Sequence, residues 1–89
     1  MIDWIVVVPK RVKKKLDRFP ENVREIVLLF IDSLHRTPFT EGYDIRKMKG
    51  RKNHYRVRFG KYRIVYCVNK KEKTIVLINA GHRRSIYES

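Results

Sequence analysis

The side chains with the most chemical content are four arginines in the C-terminal half, Arg56, Arg58, Arg63 and Arg83. The stretch His54 to Phe59 alternates like a strand, with Tyr55, Val57 and Phe59 on one face and His54, Arg56 and Arg58 on the other. Gly60 and Lys61 offer a two-residue turn with glycine first, so Tyr62 to Asn69 reads as the returning strand of a hairpin. That hairpin predicts Phe59 opposite Tyr62 and Arg58 opposite Arg63, with Arg56 further along the same face. Like charges facing each other across a sheet cost stability, and no core requires three guanidinium groups together. An anion completes such a face, and phosphate is the leading candidate.

A second hairpin that pairs Asn69 with Thr74 would carry this face through Val65, Cys67, Val76, Ile78 and Ala80 to His82, with Arg83 and Arg84 next. The face then has a basic end and an apolar end, and the apolar end predicts a protein cover. His82 and Tyr87 are the titratable side chains expected near the basic end, with His54 at the opposite edge of the hairpin. Histidine suits proton transfer near neutrality. Each has a plainer alternative: His82 as a strand cap bonded to backbone, Tyr87 as a residue packed on the core. His35 and His54 read as surface residues, and Trp4 as a packing residue.

The charge distribution supports an anionic partner. Residues 1–45 hold eight Lys/Arg against seven Asp/Glu, a net +1, whereas residues 46–89 hold fourteen against two, a net +12. Nearly all of the +13 of the chain therefore lies in its second half. Highly charged surfaces of heat-adapted proteins are the alternative, and the absence of glutamine suits it, but such surfaces usually mix signs. A polyanion is the better match, and the run Arg46, Lys47, Lys49, Arg51 and Lys52, together with Arg84, is the expected nucleic-acid grip.

The elements that must position these residues can be read from periodicity. Residues 2–8, IDWIVVV, are β-branched and apolar and stop at Pro9, which suits a strand. From Pro9 to Phe19, Val12, Leu16 and Phe19 recur at helical spacing. Pro20 restarts the chain, and from Glu21 to Arg36 a stripe of Val23, Ile26, Val27, Phe30 and Leu34 predicts a second helix. Residues 37–53, with Pro38, Gly42 and Gly50, read as a connecting loop with Arg46 to Lys52 exposed. Strands at 54–59, 62–69 and 74–80 follow. The order is βααβββ, an α+β fold with a mainly antiparallel sheet and a helical hairpin packed on one face.

Eighty-nine residues fit one domain, spanning 1–89. Cys67 stands alone in an apolar run, which excludes a disulfide framework and a CxxC zinc pair and makes it a core filler. No run approaches the length of a membrane span, and Asp3 argues against a secretory or transit peptide. A cytoplasmic protein with no membrane association is expected.

The motifs YRVRFGKYRIVYCV (55–68) and INAGHRRSIY (78–87) resemble the signature of RelE toxins, and the order of elements matches over nearly the whole chain. The resemblance implies a type II toxin: a metal-independent, cofactor-free endoribonuclease that enters the ribosomal A site and cleaves messenger RNA when a 2′-hydroxyl attacks the neighbouring phosphate. It also implies a RelB-like antitoxin, assembled with the toxin into a hetero-oligomer. Position by position, Arg56 and Arg58 stand where some members have catalytic lysines. Arg63 matches the arginine of the YR pair, Arg83 the closing arginine and Tyr87 the terminal tyrosine. Arginine stays charged where lysine can move protons, so Arg56 and Arg58 act through charge and hydrogen bonds, and the general base is left open.

Two other functions share this fold. ParE toxins look alike in outline but poison DNA gyrase without cutting RNA, and the clustered arginines tell against that reading. A non-catalytic RNA-binding module would use the same basic loop and arginine face to hold backbone without cleavage.

Overall fold

The computed structural model describes residues 3–84. Its elements are β1 (Ile5–Val7), α1 (Lys10–Leu16), α2 (Glu21–Leu34), β2 (Asp44–Lys47), β3 (His54–Phe59), β4 (Tyr62–Asn69) and β5 (Thr74–His82). The five strands form one sheet in the order β1-β5-β4-β3-β2. β1 runs parallel to β5, and every other pairing is antiparallel.

Each helix starts just after a proline, Pro9 for α1 and Pro20 for α2. Proline there forgoes only a donor that the first helical turn would leave unused. Glu21 in the first turn of α2 also lies at the favourable end of the helix dipole. α1 packs over β5 and α2 over β3, so both cover the same sheet face. Val12, Leu16, Phe19, Val27, Phe30 and Leu34 meet Val57, Ile64, Tyr66, Val68, Ile75, Leu77 and Ala80 in the main core. Phe30 is its centre, with ring centroids 4.9 Å from Tyr43, 5.5 Å from Phe59 and 5.9 Å from Tyr66. The Tyr66 hydroxyl donates to the Pro38 carbonyl at 2.7 Å, which satisfies the one polar atom this ring brings inside. Burial pushes the Tyr66 phenol well above its ordinary range.

Several expectations require correction. Residues 37–53 are not all loop, because Asp44–Lys47 is an edge strand paired to β3. Its four residues were too few, between Gly42 and Gly50, to show a period by themselves. β1 is three residues rather than seven: it pairs with Thr74 to Val76 at the start of β5, and the chain turns into α1 at Pro9. Both helices stop early, at Leu16 and Leu34, which leaves Arg36 beyond α2. The buried stripe of α2 omits Ile26, which is exposed, and draws on Ile31. Cys67 is half-buried on the sheet face away from the helices, not in the main core.

The largest departure from simple alternation lies in β5. Pairs from Asn69↔Thr74 to Tyr66↔Leu77 keep one register, but Val65 pairs with Asn79, so Ile78 is an extra residue, a β-bulge. Asn79 Oδ1 accepts from Lys15 Nζ of α1 at 2.8 Å and from the Ala80 amide at 2.9 Å, which ties the bulge down. One extra residue exchanges the two faces of everything after it. Ala80 therefore lies in the main core and His82 pairs with Tyr62 on the helix-covered side, not on the arginine face as alternation alone predicted.

Candidate phosphate-binding face

The predicted hairpin forms in the predicted register. Phe59 lies opposite Tyr62 and Arg58 opposite Arg63, around a turn in which Gly60 takes φ 63°, a conformation glycine adopts without penalty. Because Tyr55, Val57 and Phe59 face the helices, Arg56 and Arg58 are held on the open side, and Ile64 does the same for Arg63. β2 extends this face at its edge. Asp44 lies opposite Arg58 and Arg46 opposite Arg56, while Ile45 between them turns inward.

Asp44, Arg46, Arg56, Arg58 and Arg63 together line a depression of about 270 Å³. Asp44 is the single carboxylate among these lining residues. Its Oδ2 meets Arg58 Nη2 at 3.1 Å and its Oδ1 meets Arg46 Nε at 3.3 Å. Exposed pairs of this kind contribute only about 0–1 kcal/mol, so their consequence is orientation of the side chains more than stability. Arg63 is different: its Nε is buried and has no hydrogen-bond partner among the described residues. A buried guanidinium donor left unmade costs free energy, and the same side chain lines the depression, so an anion there meets a guanidinium whose donors the protein has not all used. Four guanidinium groups around one carboxylate leave the site strongly cationic at any pH where a protein is folded.

Arg46 and Arg56 also line a neighbouring depression with Lys47, Met48 and Lys49. The arginine site thus continues into the basic segment, and Lys49, Gly50, Arg51 and Lys52 border a further hollow beyond it. The expected nucleic-acid grip and the arginine site form one track along the sheet edge.

The remaining expected residues are spread more widely. Arg83 donates its backbone N–H to the Lys61 carbonyl at 2.8 Å, which holds it beside the hairpin turn, but its side chain does not line the depression. His82 Nδ1 accepts the Arg84 amide at 3.2 Å, the strand-capping role, and its ring lies edge-on to Tyr62 at 5.4 Å. His54 and His35 each bring Nδ1 to a backbone carbonyl, of Lys52 at 2.8 Å and of Trp4 at 3.3 Å. Tyr87 lies outside the described residues. Asp44 is the residue that sequence reasoning missed. The alternation of inward Tyr43 and Ile45 with outward Asp44 and Arg46 is its only local signal.

The apolar end of the open face is partly closed by the chain itself. Met48 packs with Val65 and Ile78 in a small second cluster. Beyond it, Val7, Val76 and Cys67 stand in register across three strands. Ile5 and Val7 there are 62% and 40% exposed. A second apolar patch runs along the outer side of α2, where Leu28 and Leu29 are 60% and 66% exposed.

The class is thus a two-layer α+β chain whose helices cover one sheet face while the other gathers guanidinium groups around a depression. Residues 6–87 match the family model described as ParE toxin of type II toxin-antitoxin system, parDE. Toxin RelE3 of Methanocaldococcus jannaschii is 35% identical over 85 residues, covering 93% of this chain and 94% of the relative. The toxin in a RelE–RelB complex from Pyrococcus horikoshii superposes with a TM-score of 0.82 at 32% identity, covering 96% of this chain and all of that one. That of a RelB–RelE complex from Methanococcus jannaschii gives 0.80 at 34% identity, covering 92% and 95%. The isolated RelE toxin of Escherichia coli shares the fold at a TM-score of 0.73 and 21% identity, covering 89% of this chain and 83% of that one. This chain belongs to the RelE/ParE family of type II toxins.

Proposed function

We propose that this toxin is a ribosome-dependent endoribonuclease that inhibits translation by cleaving messenger RNA in the A site. The observation that carries the reading is the depression of Arg46, Arg56, Arg58 and Arg63, in which the buried Arg63 Nε has no partner among the described residues. Transfer of a phosphoryl group to an internal 2′-hydroxyl needs the scissile phosphate positioned and the charge of its phosphorane stabilised. Arg63 and Arg58, facing each other across the hairpin, supply donors to the phosphate, and Arg56 and Arg46 extend the charge along the backbone. Arg83, beside the turn, adds a further contact, and Tyr87 stacks on a base. Lys47, Lys49, Arg51, Lys52 and Arg84 hold flanking phosphates, a sequence-independent grip. No metal or cofactor takes part.

The protein acts in the cytoplasm and is neutralised by a RelB-like antitoxin in a hetero-oligomer. The similar structures from Pyrococcus and Methanococcus are RelE–RelB complexes, and the exposed Ile5, Val7, Leu28 and Leu29 supply apolar surface for such a partner.

Primer extension on a defined messenger programmed into ribosomes tests the reading, with Arg63→Ala and naked messenger as controls. Cleavage within the A-site codon that needs both the ribosome and Arg63 is the expected result. Intact messenger with folded protein would sink it.

A second reading, inhibition of DNA gyrase, draws its support from the ParE description of the matching family model. Loss of supercoiling by gyrase in the presence of the toxin, with messenger left intact, would establish that reading instead. A third outcome, salt-sensitive RNA binding without cleavage, would mark a non-catalytic binding module.

A further inference from the structure

We infer that Asp44 is the general base of the cleavage reaction, an assignment that rests on the nuclease reading above. Among the described residues five side chains line the depression, and four are guanidinium groups that cannot accept a proton. Asp44 is the fifth. The other described proton acceptors near the arginines lie elsewhere: His82 on the helix-covered side with Nδ1 taken by the Arg84 amide, and His54 with Nδ1 at the Lys52 carbonyl.

The geometry suits the role. Asp44, Arg58 and Arg63 stand in one row across β2, β3 and β4. Adjacent strands lie about 4.8 Å apart, so the row sets Asp44 and Arg63 roughly 10 Å from each other on the backbone. A ribose–phosphate linkage fits between their side chains, with the 2′-hydroxyl towards Asp44 and a phosphate oxygen towards Arg63. Each Asp44 oxygen receives one guanidinium contact, from Arg46 and from Arg58. A carboxylate has about four lone-pair sites, so both oxygens keep capacity for a further hydrogen bond while the two contacts hold the group in place.

In the step itself, an Asp44 oxygen takes the 2′-hydroxyl proton as the 2′-oxygen bonds to phosphorus. The bond from phosphorus to the 5′-oxygen breaks, and the departing oxygen takes a proton from water. The products are a 2′,3′-cyclic phosphate and a 5′-hydroxyl end. Asp44 then returns its proton to solvent, so no other reactant is needed.

The test is single-turnover cleavage on messenger-programmed ribosomes across a pH series, with the full-length wild type, Asp44→Asn and Asp44→Glu. Binding is measured separately on a messenger carrying a 2′-O-methyl group at the cleavage site. Removing a general base costs about 10²–10⁴-fold, so Asp44→Asn is expected to lose at least 100-fold in rate. Its binding should stay within about threefold of wild type, and the rise of rate with pH on the acid side should vanish from its residual activity. Asp44→Glu should recover at least about tenfold of that loss, because the carboxylate is restored.

An Asp44→Asn protein that cleaves within about fivefold of wild type, or keeps the wild-type pH profile, overturns the assignment and leaves a clamp for Arg46 and Arg58. A rate loss matched by an equal loss of binding overturns it too. If the wild type itself leaves the messenger intact, the nuclease reading falls and this inference with it. Activity in both wild type and Asp44→Asn removes this inference alone.

Discussion

Arg58 and Arg63 face each other directly across the β3–β4 hairpin, and Asp44 meets only the first of them, at 3.1 Å. One member of the facing pair is thus neutralised by the protein, while the other keeps a buried donor unmatched among the described residues. That asymmetry makes Arg63 the side chain with most to gain from phosphate.

Arg63→Ala should lower A-site cleavage by about 10²–10³-fold, the usual cost of removing one preorganised donor from a transition state. Arg63→Lys should recover only part of it, since an ammonium lacks the planar fork. Circular dichroism and thermal melting should show both variants folded. Arg83→Ala should also reduce cleavage strongly. Wild-type rates in both alanine variants would remove the arginine face from the mechanism.

Binding to single-stranded RNA should weaken steeply with salt. Each phosphate contact on a single strand contributes about 0.7 to the slope of log K against log salt. Arg46→Ala and Lys49→Ala should each lower the slope by about that amount. Titration of a fluorescent oligonucleotide at several salt concentrations provides the measurement, and an unchanged slope would detach the basic segment from RNA.

His82→Ala should leave both the cleavage rate, within about fivefold, and the shape of its pH profile intact, because general-base losses begin near 100-fold. The bulge at Ile78 carries its ring to the side of Tyr62, away from the arginines. A flattened profile in this variant would return His82 to the list of proton carriers.

Tyr66→Phe removes the donor to the Pro38 carbonyl in the core and should destabilise the fold by about 1–3 kcal/mol. It also changes the response to alkali. Burial raises the Tyr66 phenol above its unfolded value of 10.0, so at pH above about 10 the unfolded chain loses a proton that the folded chain keeps. Wild-type stability is therefore whole below that pH and falls as pH climbs past it. In Tyr66→Phe this part of the alkaline loss should be absent, as urea melts at pH 8 and pH 11 would reveal.

How much of this was legible in advance depended on the range of the interaction involved. The outward placing of Arg56, Arg58 and Arg63 follows from strict alternation beside a glycine turn, and both features are local. So do the two helices, whose apolar residues recur at helical spacing after Pro9 and Pro20. The charge excess after residue 45 pointed to a polyanion for the same reason: it is a property of the chain before it folds.

Other features depended on partners distant in sequence. Asp44 to Lys47 becomes a strand because β3 offers a free edge, and only that pairing brings Asp44 to Arg58. His82 leaves the arginine face because Ile78 has no opposite number on β4, and α1 holds the bulge through Lys15 and Asn79. Composition and local alternation fix which charges this protein carries and which way its hairpin presents them. Tertiary structure alone decided which carboxylate and which histidine share their company, since register across strands is set by packing and bulges that no single segment encodes.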